Sequence, residues 1–176
     1  MNETILRTES IYEGRVVRLA LLDVQLPDGR LAKREVVQHP GSVAVVALDS
    51  EQRILLVRQF RTAAERVLLE IPAGTLEPGE SPLACAEREL QEETGFHPGR
   101  LEPIGGIYVA PSYTSEFIHL FWATELTASR LDSDADEFIE VERVPLTEAL
   151  AMIERGSIVD GKSIAGMLRV ARKLGI

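Results

Sequence analysis

Glu89, Glu92 and Glu93 stand close together in a stretch, Ser81 to Thr94, that reads as a helix. At about 100° per residue they share one arc, beside a face made of Leu83, Ala86, Leu90 and Thr94. Glu89 and Glu93 form an i, i+4 pair of like charges, which costs an isolated helix about 0.2–0.5 kcal/mol. All three also lie at the negative C-terminal end of the helix dipole. One interpretation is a solvated acidic face, the ordinary fate of charged side chains. The other is a site for a hard divalent cation, which removes both penalties. Oxygen-only clusters of this kind suit Mg²⁺ or Mn²⁺. The arrangement makes better sense as a metal site than as a surface.

The flanking residues sharpen this. Gly74 is followed after five residues by Glu80, and after seven more by Arg88-Glu89-Leu90-Gln91-Glu92-Glu93-Thr94-Gly95-Phe96. Here the chain resembles the Nudix hydrolase family, whose signature is G-x5-E-x7-R-E-U-x-E-E-x-G-U with U bulky and apolar. A chance match at average residue usage is on the order of 10⁻⁶ over the whole chain. On elementary grounds Gly74 permits a tight turn after a strand, and Arg88 can hold a neighbouring carboxylate in position. The resemblance implies attack of water on one phosphorus of a pyrophosphate, with the other phosphate leaving. It implies Mg²⁺ (Mn²⁺ possible) held by Glu89 and Glu93, with Glu92 coordinating or assisting and the Ala73 carbonyl as a further ligand. Glu80 either shares in this or makes a loop-to-helix contact. The implied fold is an α/β/α sandwich with a mixed sheet, preceded by an N-terminal antiparallel β element.

A second set of residues concerns the substrate. Pro111 lies 16 residues beyond Gly95, a spacing that in the family accompanies hydrolysis of ADP-ribose. Taken alone it is a turn between strands. The run Ala110 to Glu116, the segment Glu70-Ile71-Pro72-Ala73-Gly74 and the loop Asp134 to Phe138 resemble the same ADP-ribose branch. By position, Arg15, Glu35, Arg61 and Glu116 are carried over to substrate binding. Arginine suits phosphate or a stacked base, and a carboxylate suits an adenine amine or ribose hydroxyls. Ordinary surface charge is the alternative for each. Tyr12, Phe60 and Tyr113 could stack on the base or sit in the core. His39, His97 and His119 are scattered, and none is read as a ligand. Hydrolysis of GDP-mannose or another nucleoside diphosphate sugar is the alternative activity; a non-catalytic ADP-ribose-binding module is a more remote one. For the general base, the resemblance points to Glu137 on the acidic loop, with Glu92 or Glu93 as the alternative.

The elements that must position these residues are legible around them. Val16 to Leu26 and Leu31 to Val37 form a hairpin about the Pro27-Asp28-Gly29-Arg30 turn. His39-Pro40-Gly41 then marks a boundary, giving an N-terminal β element over 1–40 and a hydrolase domain over 41–176. Ser42 to Leu48 is nearly all apolar, as in a strand buried on both faces. Further strands are predicted at Ile54 to Gln59, Val67 to Ile71, Gly105 to Val109, Phe117 to Thr124 and Phe138 to Val144. Helices follow at Thr147 to Arg155 and Ser163 to Leu174. Strands mixed with helices give an α/β fold.

The length of 176 residues and 45% hydrophobic content suit one folded domain with a sizeable core. The net charge of −9 argues against nucleic acid as a partner. Cys85 is alone, so no intrachain disulfide or thiolate cluster is possible. The first ten residues lack an apolar secretory core, and no apolar run is long enough to span a membrane. A cytoplasmic protein is expected. The hairpin has one apolar face and too few strands to bury it, and in the family two subunits interlock there, so a C2 homodimer is expected.

Overall fold

The computed structural model describes residues 2–129, 131 and 138–176. Glu137 and the rest of the acidic loop, 132–136, lie outside them. The chain forms two compact units: Met1–Gly41 with Tyr108–Phe117, and Ser42–Ile107 with Ile118–Ile176.

In the first unit, β1 (Thr4–Glu13), β2 (Arg18–Gln25) and β3 (Leu31–Gln38) form an antiparallel sheet in that order. The turn between β2 and β3 closes through Leu26 N–H to Arg30 O, and the Asp28 carboxylate accepts from Arg30 N–H at 3.1 Å. β1 had no counterpart in the sequence reading. All ten of its residues are exposed, including Ile5, Leu6, Ile11 and Tyr12, so no burial pattern marks it. The segment after Tyr108 turns at Pro111, where Ala110 O accepts from Tyr113 and Thr114 N–H. It then runs beside β3, with Val37 N–H donating to Tyr113 O at 2.8 Å and Ser115 N–H to Val37 O at 3.0 Å.

The second unit is built on β4 (Ser42–Ala47), which is buried along its whole length. Side chains alternate across a strand, and β4 uses both faces. Val43, Val45 and Ala47 pack with Cys85, Ala86 and Leu90 of α1 (Pro82–Thr94). Ala44 and Val46 pack with Met167 and Val170 of α3 (Gly161–Leu174). This is the expected sandwich of a sheet between helices. Each such buried aliphatic side chain contributes about 1.5–3 kcal/mol. At Gly166 a Cβ would lie 2.9 Å from Val46 Cγ2, which is how α3 comes so near the sheet.

β4 pairs in parallel with β9 (Phe117–Ala128) and antiparallel with β7 (Ala73–Thr75), and β9 continues to β8 (Phe96–Tyr108), making the sheet mixed. A second sheet orders β10 (Glu140–Pro145), β5 (Arg53–Arg61) and β6 (Arg66–Glu70). Helix α2 (Leu146–Glu154) follows β10. Among the described residues no helix is long and apolar enough to cross a membrane.

Candidate active site

α1 begins and ends where local chemistry requires. Ser81 caps it by accepting from Ala84 N–H, Pro82 occupies its first turn, and Gly95 closes it in the left-handed conformation at φ 77°. Its buried stripe is Cys85, Ala86, Leu90, Glu93 and Thr94. Leu83, expected on the apolar face, is 46% exposed; it lies in the first turn, ahead of the stripe.

The carboxylates are not a solvated face. The side chains of Glu80, Glu89 and Glu92 are 14%, 12% and 23% exposed, and Glu93 is 6% exposed. Burying so much negative charge requires compensation, and Arg88 supplies it. Its Nε and Nη2 donate to the two oxygens of Glu80 at 2.9 and 3.0 Å, and its Nη1 donates to Glu89 at 2.8 Å and Glu92 at 2.9 Å. The Glu80 fork holds that carboxyl at a pKa of about 2 and pushes Arg88 up in turn. Glu80 also accepts from Glu77 N–H, so in this structure it is the loop-to-helix contact. Cys85, buried against Arg88, has its thiol pKa raised by burial.

Glu93 is held differently. Its Oε2 accepts from Ala73 N–H at 2.9 Å, which sets the Ala73 peptide beside it. Next to it, Gly74 has no room for a side chain: a Cβ there would lie 1.8 Å from the Glu89 carboxyl carbon and 1.9 Å from its Oε1. Gly74 does not adopt a positive φ. The need for glycine is therefore the close approach of Glu89, not the tight turn expected from the sequence.

Among the described residues, no three acidic, His or Cys side chains already converge as a cation cage. The donor set nonetheless fits a hard divalent ion. It is all oxygen and largely buried, with Glu89 against the side-chain-free backbone of Gly74 and Glu93 on the Ala73 N–H.

Behind this cluster lies a network that sequence reasoning missed. Glu70, 1% exposed, receives Arg61 Nε at 2.9 Å and Nη2 at 2.7 Å, and also Lys162 Nζ. Lys162 meets Asp160 at 3.0 Å. Asp160 caps α3 through Ser163 N–H, and Ser163 Oγ accepts from Ile71 N–H at 2.9 Å. Burial raises the Glu70 pKa, but Arg61 and Lys162 offset this and leave it below the usual carboxylate value. A glutamate within the apolar run Val67 to Ile71 was the one available signal. One of its two cationic partners, Lys162, lies 92 residues further on.

The remaining candidates, Phe60 apart, lie in the first unit. Glu35 on β3 and the Pro111 to Glu116 segment run side by side there, joined by the Val37 bonds described above. Glu116 N–H donates to Thr114 Oγ1, and Ser115 Oγ accepts from His39 N–H. Arg15 is exposed in the β1–β2 turn, at the Gln38 end of the sheet. Tyr12 and Tyr113 are 59% and 57% exposed, which excludes a core role in the chain as described. Phe60, in the second unit, is likewise exposed.

Comparison with known proteins decides the assignment. The model of the NUDIX domain matches residues 38–166. The chain belongs to the Nudix family. It is 43% identical to an ADP-ribose pyrophosphatase of Bacillus subtilis, over 93% of this chain and 89% of that one. It is 42% identical to a methanol dehydrogenase activator of Bacillus methanolicus, over 92% and 89%. A GDP-mannose pyrophosphatase of Citrobacter koseri is 37% identical over 75% and 74%. Among solved structures, the crystal structure of an ADP compounds hydrolase superposes with a TM-score of 0.87, covering 99% of this chain and 95% of that one at 25% identity. The protein is an enzyme of the Nudix hydrolase type.

Proposed function

We propose that this Nudix enzyme hydrolyses the pyrophosphate of ADP-ribose to AMP and ribose 5-phosphate. The observation that carries the chemistry is the set of largely buried carboxylates braced by Arg88, with Glu89 packed against Gly74. The relatives named above support the substrate class. Glu89, Glu92 and Glu93, with the Ala73 carbonyl, would hold Mg²⁺ or Mn²⁺. A divalent ion bound there neutralises the diphosphate and favours ionisation of water.

The chain's own residues do the rest. Arg88 keeps Glu89 and Glu92 from repelling one another, and the Ala73 N–H fixes Glu93. Glu137 takes a proton from water as the water oxygen bonds to one phosphorus. The bridging P–O bond breaks, and its electron pair leaves with the other phosphate. Arg61 meets the diphosphate, while Arg15, Glu35, Pro111 and Glu116 recognise the nucleoside or the sugar. The exposed apolar residues of β1 are covered by a second subunit, giving a C2 homodimer in the cytoplasm.

The GDP-mannose pyrophosphatase relative favours a second reading in which only the base and sugar pockets differ. A panel of nucleoside diphosphate sugars, assayed by phosphate release after phosphatase coupling, separates them. ADP-ribose is expected to turn over fastest. GDP-mannose turning over far faster would overturn the substrate assignment.

A further inference from the structure

Lys162 has no role in the chemistry described so far, yet it is only 11% exposed and bonded to the most buried carboxylate near the site. A buried carboxylate needs its oxygens satisfied. Glu70 meets this with two cations: Arg61 across one edge and Lys162 on Oε2. With Asp160 bonded to Lys162, two cations face two carboxylates, so the network balances internally.

The consequence for Arg61 is geometric. A guanidinium carries five N–H donors in one rigid plane. The Nε–Nη2 edge is engaged by Glu70. The donors on the far side of that plane point away from Glu70, and the side chain retains 38% exposure. Whichever way Glu70 turns, that outer edge turns with it. The same short segment of α3 also holds the backbone that leads to the metal-ligand candidates. Ser163 Oγ accepts from Ile71 N–H, and two residues on, Ala73 N–H donates to Glu93. The charge of Glu93 is in turn felt at Arg61.

We propose that Lys162 is a positioning residue: by anchoring Glu70 at Oε2, the oxygen that also accepts from Arg61 Nη2, it aims the outer edge of Arg61 at the substrate's diphosphate. The proposal rests on the diphosphate-hydrolase reading above. Lys162 does not itself touch substrate. Asp160 orients Lys162, and Ser163 ties the same helix end to Ile71, so aim and ligand backbone are set together.

A double-mutant cycle tests this. Lys162→Met keeps the apolar stem and removes the charge. It is expected to raise KM about tenfold and change kcat less than about threefold; Lys162→Arg restores most of the loss. In an Arg61→Met background the same substitution should change KM less than about twofold, because the group it aims is gone. Amide exchange at Ala73 should quicken in Lys162→Met while exchange in β4 stays at the wild-type rate, a readout that needs no turnover. Should Lys162→Met be too unstable to purify, Lys162→Gln, which keeps one donor for Glu70, is expected to shift KM about threefold in the same direction. Equal KM effects with and without Arg61, or a wild-type KM together with unchanged Ala73 exchange, would overturn the proposal. If the wild type does not hydrolyse ADP-ribose, the substrate assignment fails by itself. The cycle is then run on whichever nucleoside diphosphate sugar of the panel is turned over.

Discussion

Replacing Gly74 by alanine separates two accounts of why glycine stands there. A Cβ at this position would lie 1.8 Å from the carboxyl carbon of Glu89. Non-bonded carbons rest at about 3.5–4.0 Å, so the Glu89 carboxylate must retreat by about 1.7 Å. A misplacement near 1 Å at a reacting centre costs about 10²-fold in rate. Gly74→Ala is therefore expected to lower kcat by about 10²-fold or more and to weaken metal binding. The fold should survive. The displaced atoms end a flexible side chain, and the backbone does not need a positive φ. Where the native φ/ψ suits alanine, the change stiffens the unfolded chain and stabilises by about 0.4–1 kcal/mol. The assay is initial-rate hydrolysis across a Mg²⁺ titration, alongside thermal denaturation in EDTA. Glu89→Asp in the alanine background should recover part of the rate, since the shorter side chain withdraws the carboxylate. An alanine variant with near-normal kcat would refute the reasoning. So would one that loses activity only because it unfolds.

Glu80→Gln tests the Arg88 hub through pH. The Glu80 pKa is held at about 2, below its ordinary 4.5, by the Arg88 hydrogen bonds. The depressed value stabilises the folded state above pH 4.5, and that contribution fades as pH falls towards 2. Urea denaturation in EDTA should show wild type ahead of Glu80→Gln at pH 7 and the gap closing over that range; a constant gap refutes it. Glu137→Gln should lower kcat by about 10²- to 10⁴-fold with Mg²⁺ affinity unchanged, whereas Glu93→Gln should weaken Mg²⁺ binding itself. Near-normal kcat in Glu137→Gln would return the base to α1. Light scattering should show a dimer, and Ile11→Asp, on the exposed face of β1, should shift it towards monomer. A fully active wild-type monomer at working concentration would defeat the dimer.

The spacing from Gly74 to Phe96 carries its meaning without a fold, because helix geometry alone brings residues three and four apart together. Ser81, Pro82 and Gly95 likewise announce the ends of α1, since caps are local chemistry. The apolar run of β4 announced a strand buried on both faces, and its alternation is what lets α1 and α3 share it.

Three things were decided only in three dimensions. Which carboxylate is most buried depends on the rotation of α1 against β7, and Glu93 owes its place to the Ala73 N–H. The need for glycine at 74 comes from a side chain 15 residues away in sequence. Glu70 and Lys162 meet across 92 residues, and neither carries a local pattern that names the other. β1 was invisible for the opposite reason. All of it is exposed, so no core imposes a period on its sequence. Local bonds and periodicity are written along the chain; the partner of a buried charge is chosen by packing, and packing is a property of the whole.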